Sequence, residues 1–574
     1  MQYRLNHILD TLKQDSVSAG QPKGPTELDW LNQSYIQPSD FFKDLMEEVQ
    51  ATWNLKLKSI AFTHYDFYYD IFNKQGKADD IAYIYYDVNG NRQALTYKAL
   101  KNLADQKANQ WSAKGVTAGA TILLVHPTGP DLCVKVIAAL KLGLTISLGS
   151  PSRPWLLKKQ IEDLEPDFIS TARAYTALVA DNKDRLLEAM PQTSKAQNDT
   201  QRPQVYHTGQ IAARLFDFSL PTPLEPVEIS CDELYLNGLR DGIIALNLQP
   251  GLVISLPGWP GNRTQPFLIL SILLTHATFL DVKPKQIENA PKMFAQDPPD
   301  VIGINRQLRN FLWENPEEFP SSCKFWFRHQ GTDLDLDKWQ AFIMEKGLEK
   351  TYTGVLKYHA QAGGLIAFSR HRKGITGAHV MPSAGMNWHI APLPDTAMMP
   401  SEEFGALAFT TNGLERTTPY LFIKSGVEWI CPKSYLNQKQ DRYYPVELVE
   451  TFLSEHKICR HFLIIPTPRV AAENISHDLV VFIGSKVGTD HAKMKDMIQK
   501  TIIDNLGKEY CPDYVTFLPI IPRVLPDGTL DREWCKKEHI ANRLSHKAGN
   551  TLFKQVSRLK EMMLIQNKVK ISEI

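Results

Sequence analysis

The chain has 574 residues, with 64 Lys and Arg against 63 Asp and Glu, so its formal net charge is only +1. So even a balance excludes the basic excess that a general nucleic-acid or acidic-surface binder requires. Hydrophobic residues at 43% and charged residues at 22%, with 36 Pro and 32 Gly, lie in the globular range, and the length predicts several domains.

Residues 1–16 lack the apolar core of a secretory signal. The longest apolar runs, at 267–274 and 134–146, are shorter or more interrupted than the ~20 residues of a membrane helix, so a cytoplasmic chain without a membrane span is expected. Seven cysteines, Cys133, Cys231, Cys323, Cys431, Cys459, Cys511 and Cys535, are spread with no Cys-x-x-Cys pair. That pattern fits reduced thiols and argues against a zinc site.

After a polar, Pro-punctuated start, Phe41, Phe42, Leu45, Met46 and Val49 recur at helical spacing and predict a docking helix over 40–53. Asn89-Gly90-Asn91 between the β-rich runs 82–87 and 94–97 predicts a hairpin. From Thr96 the chain alternates: helix 97–111, strand 121–125, helix 131–142 ended by Gly143, strand 145–148, helix 154–164 and strand 168–170. The rhythm returns with strand 252–256, helix 266–274, strand 301–304 and helix 306–313. Short apolar strands alternating with helices predict a large parallel sheet covered on both faces. Residues 190–227 are polar and aperiodic, and read as a connecting loop. Beyond Gly405, alternation at 406–409 and 420–423 predicts a small antiparallel β unit. Helix 444–453, strands 461–465 and 479–483, helix 490–506 and strand 514–518 then predict an α+β module, and the basic tail 546–574 is helical in pattern.

Three segments follow in order: Leu95-Thr-Tyr-Lys-Ala-Leu-Lys-Asn-Leu-Ala104, Lys114-Gly-Val-Thr-Ala-Gly-Ala-Thr121 and Ala138-Ala-Leu-Lys-Leu-Gly143. Further on stand residues 377–385 with Glu403-Phe-Gly-Ala-Leu-Ala408, Tyr443-Tyr-Pro-Val-Glu-Leu-Val449 and Leu525-Pro-Asp-Gly-Thr-Leu-Asp-Arg532. This series resembles the adenylate-forming superfamily of acyl-CoA synthetases, fatty acyl-AMP ligases and peptide-synthetase adenylation domains, which activate a carboxylate with ATP and pass it to a thiol. The first and third segments resemble its "TYxELxxxAxxxA" and "AxLKxGA" motifs, and Tyr443–Val449 its "YPxDIE" form. The resemblance spans residues 60–545. Element order and resemblance together imply an α/β fold class. An extension over 1–60 precedes a large N-terminal domain over 61–432, made of two layered α/β subdomains plus a small β unit. A small α+β C-terminal domain over 433–545 and the tail 546–574 follow.

The family's reaction brings a carboxylate onto the α-phosphate of ATP, so two anions must meet. The resemblance implies ATP and Mg²⁺ as cofactors, a phosphate loop bearing a lysine, a glutamate for Mg²⁺, an aspartate for the ribose and a mobile C-terminal lysine. The segment placed as the phosphate loop, 215–227, carries Ser219 and Thr222, but it has three prolines and Glu225 and neither glycine nor lysine. Proline removes the backbone donors a phosphate cradle needs, and a carboxylate repels a triphosphate, so it reads as a connecting loop. The counterpart of the magnesium motif "YGxTE" is a Tyr352–Lys357 loop in which Tyr352 and Gly354 are retained, Leu356 replaces Thr and Lys357 replaces Glu. Lysine does not ligate a hard cation, although it can pair with a phosphate. No aspartate stands between Leu414 and Asp441 for the ribose, leaving Glu415 or Glu428, and the hinge basic residue corresponds to Lys433. The catalytic lysine falls on Thr529, with Lys536 and Lys537 seven and eight residues on, so no catalytic residue is assigned. A hydroxyl cannot supply a transition-state cation, and lost donors of that kind cost about 2.7–4 kcal/mol in analogous sites.

No GxSxG, HExxH, Walker A or GxGxxG pattern offers replacement chemistry, and His359, His371, His379 and His389 read as surface or core residues. The expectation is a fold retained without its reaction, a pseudoenzyme that binds an acyl carrier protein, another protein partner or an acyl ligand. One alternative is a divergent, active acyl-adenylate ligase in which Lys357 and Lys433 meet phosphate. A second is a structural subunit using the N-terminal extension and the basic stretch 554–570.

Overall fold

The computed structural model describes residues 27–53, 56–73, 77–87, 89–151, 153–191, 202–216, 225–257, 265–289, 293–316, 323–329, 336–346, 352–359, 362–371, 381–392, 403–411, 414–425, 428–430, 438–439, 442–458, 461–469, 474–483, 490–520, 522–525 and 530–544. The chain divides into two compact units, 1–217 with 224–434 and 218–223 with 435–574.

The first unit opens with helices α1 (Glu27–Ile36) and α2 (Pro38–Trp53), and α2 buries Phe41, Phe42, Leu45, Met46 and Val49, as their spacing predicts. After the short strand β1 (His64–Tyr65), strands β2 (Ile81–Tyr86) and β3 (Arg92–Thr96) form the expected hairpin. Gly90 takes φ +80° in its turn, and Asp87 Oδ1 accepts the N–H groups of Asn89 and Asn91 at 2.9 Å. Thr96 caps α3 (Tyr97–Ser112), whose Tyr97, Leu100, Ala104, Ala108 and Trp111 form one buried stripe. Then come β4 (Thr121–Val125), α4 (Pro130–Leu142), β5 (Thr145–Leu148), α5 (Pro154–Leu164) and β6 (Phe168–Thr171). Helix α4 is buried from Leu132 to Leu142, lysines included, and Lys141 is held there by Asp105 Oδ1 at 2.7 Å.

Residues 190–227 correct the reading as a loop. Strands β7 (Tyr206–His207) and β8 (Ile211–Leu215) lie within them, and β9 (Val227–Ser230) begins at their end. Strand β8 is short and interrupted by Arg214, but it is recruited by pairing with β5 and β9. Next are α6 (Cys231–Arg240), β10 (Val253–Ser255), α7 (Phe267–Leu274), β11 (Thr278–Asp281), β12 (Val301–Gly303), α8 (Arg306–Glu314) and β13 (Phe325–His329). A hairpin of β14 (Tyr352–His359) and β15 (Gly364–His371) follows, then β16 (Met381–Pro382).

The single rhythm of the sequence is split between two sheets. One has five strands in the order β6-β4-β5-β8-β9, and the other nine, β16-β15-β14-β13-β12-β10-β11-β2-β3. Strands β14 to β2 of the larger sheet pair in parallel throughout, and antiparallel strands close its flanks. The expected antiparallel unit is four-stranded, β17 (Trp388–Pro392), β18 (Glu403–Thr411), β19 (Leu414–Ser425) and β20 (Glu428–Ile430). The fold is thus α/β with two α/β subdomains and a small β unit.

The second unit holds a short hairpin, β21 (Gln438–Lys439) and β22 (Arg442–Tyr443), then α9 (Val446–Glu455), β23 (Phe462–Arg469), β24 (Asn474–Phe482), α10 (His491–Asn505), β25 (Tyr514–Leu518) and α11 (Arg532–Ile540). Its three-stranded sheet, β23-β24-β25, buries Leu463, Ile465, Val480, Phe482 and Leu518, so the α+β module forms as read. The tail 546–574 lies outside the described residues. Among the described residues no helix is long and apolar enough to cross a membrane.

Candidate functional site

In open parallel sheets, ligands gather at the carboxyl ends of the strands, where the chain reverses its direction of travel across the sheet. In the five-stranded sheet that point lies between β4 and β6, since β4 pairs with both β5 and β6. Polar side chains fill it. Asp131 Oδ2 lies 2.6 Å from Lys135 Nζ and 3.1 Å from His126 Nδ1, while His126 Nε2 lies 3.3 Å from Ser170 Oγ. Ser170 in turn donates to Glu188 Oε1 at 2.8 Å. Partial burial pushes the Asp131 carboxyl up, but hydrogen bonds from His126 and Lys135 outweigh it and hold the group well below the usual carboxylate range.

The nine-stranded sheet has its corresponding edge at the end of β14. Gly364, with Ala362 and Gly363, closes the hairpin, and Gly363 takes φ +63°, the left-handed region that favours glycine. Helix α6 packs against this turn. Its first turn is secured by a capping box between Ser230 and Glu233. A Cβ at Gly242 would lie 2.5 Å from Ser271 O, so the segment after α6 approaches α7 more closely than any side chain permits. Asn237 Nδ2 donates to Ala362 O at 3.0 Å, and Arg240 Nη1 donates to Asn237 Oδ1 at 2.9 Å. Arg240 Nε and Nη2 meet Asp241 Oδ1 at 2.8 and 2.6 Å, with both side chains only 1% exposed.

A third group links the two edges. Tyr83 donates to Asp281 Oδ2 at 2.8 Å, and Lys283 Nζ donates both to Asp281 Oδ1 at 2.7 Å and to Thr128 O at 3.3 Å, on the turn after β4. Burial, then the Asp281 carboxylate, pushes the Tyr83 phenol up, so it stays a donor at neutral pH.

Residues 72–230 match the family model of AMP-binding enzymes. No curated protein matches the chain by sequence. Three solved structures superpose on most of it. An amide bond synthetase from Marinactinospora thermotolerans is 14% identical, with 82% of this chain and 99% of that one covered at a TM-score of 0.62. An acetoacetyl-CoA synthetase from Streptomyces lividans is 14% identical, with 92% of each chain covered at 0.61. A double mutant of an o-succinylbenzoate CoA synthetase from Bacillus subtilis is 13% identical, with 82% of this chain and 98% of that one covered at 0.63. The chain has the adenylate-forming fold.

Within this adenylate-forming fold the candidate residues lie as follows. Tyr352 is the first residue of β14, opposite Phe325; Gly354 lies opposite Phe327 and Arg370, and Lys357 opposite Ala367, next to a register shift before Tyr358. They occupy a paired strand rather than the expected loop, because β13 pairs with residues 352–356 and β15 with residues 353–359. Lys433, Thr529 and residues 217–224 of the candidate phosphate loop lie outside the described residues. That candidate loop joins the antiparallel strands β8 and β9. Glu415 lies on β19, 3.6 Å from His389 Nε2. Sequence reasoning missed Asn237, Arg240 and Asp241, whose signal was a charged pair set between apolar residues in Leu236-Asn-Gly-Leu-Arg-Asp-Gly-Ile243.

Proposed function

We propose that the chain is a catalytically degenerate adenylate-forming protein that acts by binding a partner protein, such as an acyl carrier protein, or an acyl ligand. The observation that carries this reading is the carboxyl edge of β14. The stretch from Tyr358 to Gly364, Tyr-His-Ala-Gln-Ala-Gly-Gly, has no carboxylate, and the segment resembling the magnesium motif offers Lys357 instead. A hard divalent cation takes oxygen ligands, carboxylates above all, so this donor set does not fit Mg²⁺ with ATP, and no catalytic step is derived through it. Thr529 in place of a lysine and Glu225 within the candidate phosphate loop support the same reading. Tyr352, Gly354 and Lys357 remain as counterparts of the nucleotide pocket, and Lys433 as the counterpart of the hinge residue. The adenylate-forming body over 61–432, the C-terminal module over 433–545, the flanking segments 1–60 and 546–574, and a cytoplasmic location belong to this proposal.

ATP–pyrophosphate exchange with a panel of carboxylic acids, together with calorimetry at millimolar ATP and Mg²⁺, tests it. No exchange is expected with any acid. Exchange that disappears in Lys357→Ala would overturn the proposal in favour of a divergent ligase. Size-exclusion chromatography of a complex recovered from the native source distinguishes an assembly subunit from a free ligand-binding monomer.

A further inference from the structure

The Arg240–Asp241 pair is unusual in that adjacent residues of an α-helix point about 100° apart, yet these two side chains meet face to face in a dry interior. The helix changes form at that place, where Asp241–Ala245 is a π-turn and Leu246 N–H donates to Asp241 O at 2.9 Å. Such turns inside α-helices often coincide with a functional requirement. A buried ion pair adds little stability over apolar side chains of the same volume, so its presence calls for a role in specifying structure.

That role is visible in what the cluster joins. Asn237 holds the turn through Ala362 O, and Arg240 Nη1 reaches a separate segment at Ala384 O, 3.2 Å away. A Cβ on Gly364 would lie 2.5 Å from Asp241 Oδ2, so the turn backbone rests directly on the carboxylate. From the other side, helices α1 and α2 grip the segment around Ala384. Tyr35 donates to Pro382 O at 2.7 Å, Ser34 Oγ accepts from Gly385 N–H at 3.2 Å, and a Cβ on Gly385 would strike the Phe41 ring at 2.6 Å.

We propose that Arg240 is a built-in organising cation: with Asn237 and Asp241 it clamps the turn 362–364 and the segment 382–385 onto α6, so that this edge of the sheet is ordered without a bound metal ion or nucleotide. Arg240 is a positioning residue, and its planar fork is what lets one cation serve a carboxylate, an amide and a backbone carbonyl together. The inference stands apart from the proposed function, since the clamp holds whether or not the fold activates a carboxylate.

Hydrogen–deuterium exchange on the full chain tests it. In Asn237→Ala, peptides covering 362–371 and 381–388 are expected to exchange about tenfold faster, with peptides covering 462–482 unchanged. Arg240→Lys keeps the charge without the fork and is expected to loosen the same two regions. In the wild type, neither Mg²⁺ with ATP nor a chelator is expected to alter exchange in these peptides. Unchanged exchange in a folded Asn237→Ala variant, or an about tenfold slowing of the wild-type turn by Mg²⁺ with ATP, would overturn the clamp. Should Asn237→Ala fail to fold, Asn237→Asp retains the acceptor for Arg240 and removes the donor to Ala362, and the same readout applies. The wild-type arm needs no variant.

Discussion

The carboxyl edges of the two parallel sheets are built from similar groups, but water reaches only one of them. At the five-stranded sheet, Lys135 is 6% exposed and its partner Asp131 is 62% exposed. At the nine-stranded sheet, Arg240 and Asp241 are each 1% exposed. Removing Lys135 at the first edge leaves a carboxylate that water can solvate. Removing Arg240 at the second leaves Asp241 as a stranded charge in a dry interior. The difference teaches that the cost of losing an ion pair depends on access of water to the survivor more than on the length of the contact.

The sharpest way to break this comparison is Arg240→Met, expected to destabilise the first unit by about 3–5 kcal/mol as read by denaturant unfolding. A cost below that of Lys135→Met would overturn the contrast. Gly242→Ala places a methyl against Ser271 O and is expected to cost about 1–3 kcal/mol, seen as a lower Tm. Ser170→Ala removes the donor to Glu188 and the contact with His126, for about 1 kcal/mol in the same assay. Lys135→Met is expected to cost less than about 1 kcal/mol, because Asp131 keeps its water. A further test concerns pH. The Asp131 carboxyl is depressed in the folded chain, so its contribution is present above its unfolded pKa of about 3.9 and is lost as pH falls through the lower folded value. Acid unfolding of Asp131→Asn should therefore show a shallower loss below about pH 4 than the wild type; an identical acid limb would remove Asp131 from the account.

Much of the fold was legible because its signals are local. The stripe of α2, the hairpin turn at Gly90 and the alternation from Thr96 to Thr171 each state their own period. Strand β14 was obscured by its likeness to a motif loop, and it is held by β13 and β15, whose pairing a local pattern does not reveal. The candidate site divides in the same way. Lys357, Glu225 and Thr529 announce changed charge by identity alone, whereas Asn237, Arg240 and Asp241 look like an ordinary polar stretch of helix until the turn at Ala362 closes over them.

The sequence by itself determined the order of helices and strands and the side-chain chemistry of Lys357, Glu225 and Thr529, because periodicity and side-chain identity are properties of short stretches. Only the tertiary structure decided which strands belong to which of the two sheets and that one charged pair lies wholly in the interior. Sheet partnership and burial are set by neighbours more than a hundred residues away, such as Ala362 and Ala384 above Asn237 and Arg240.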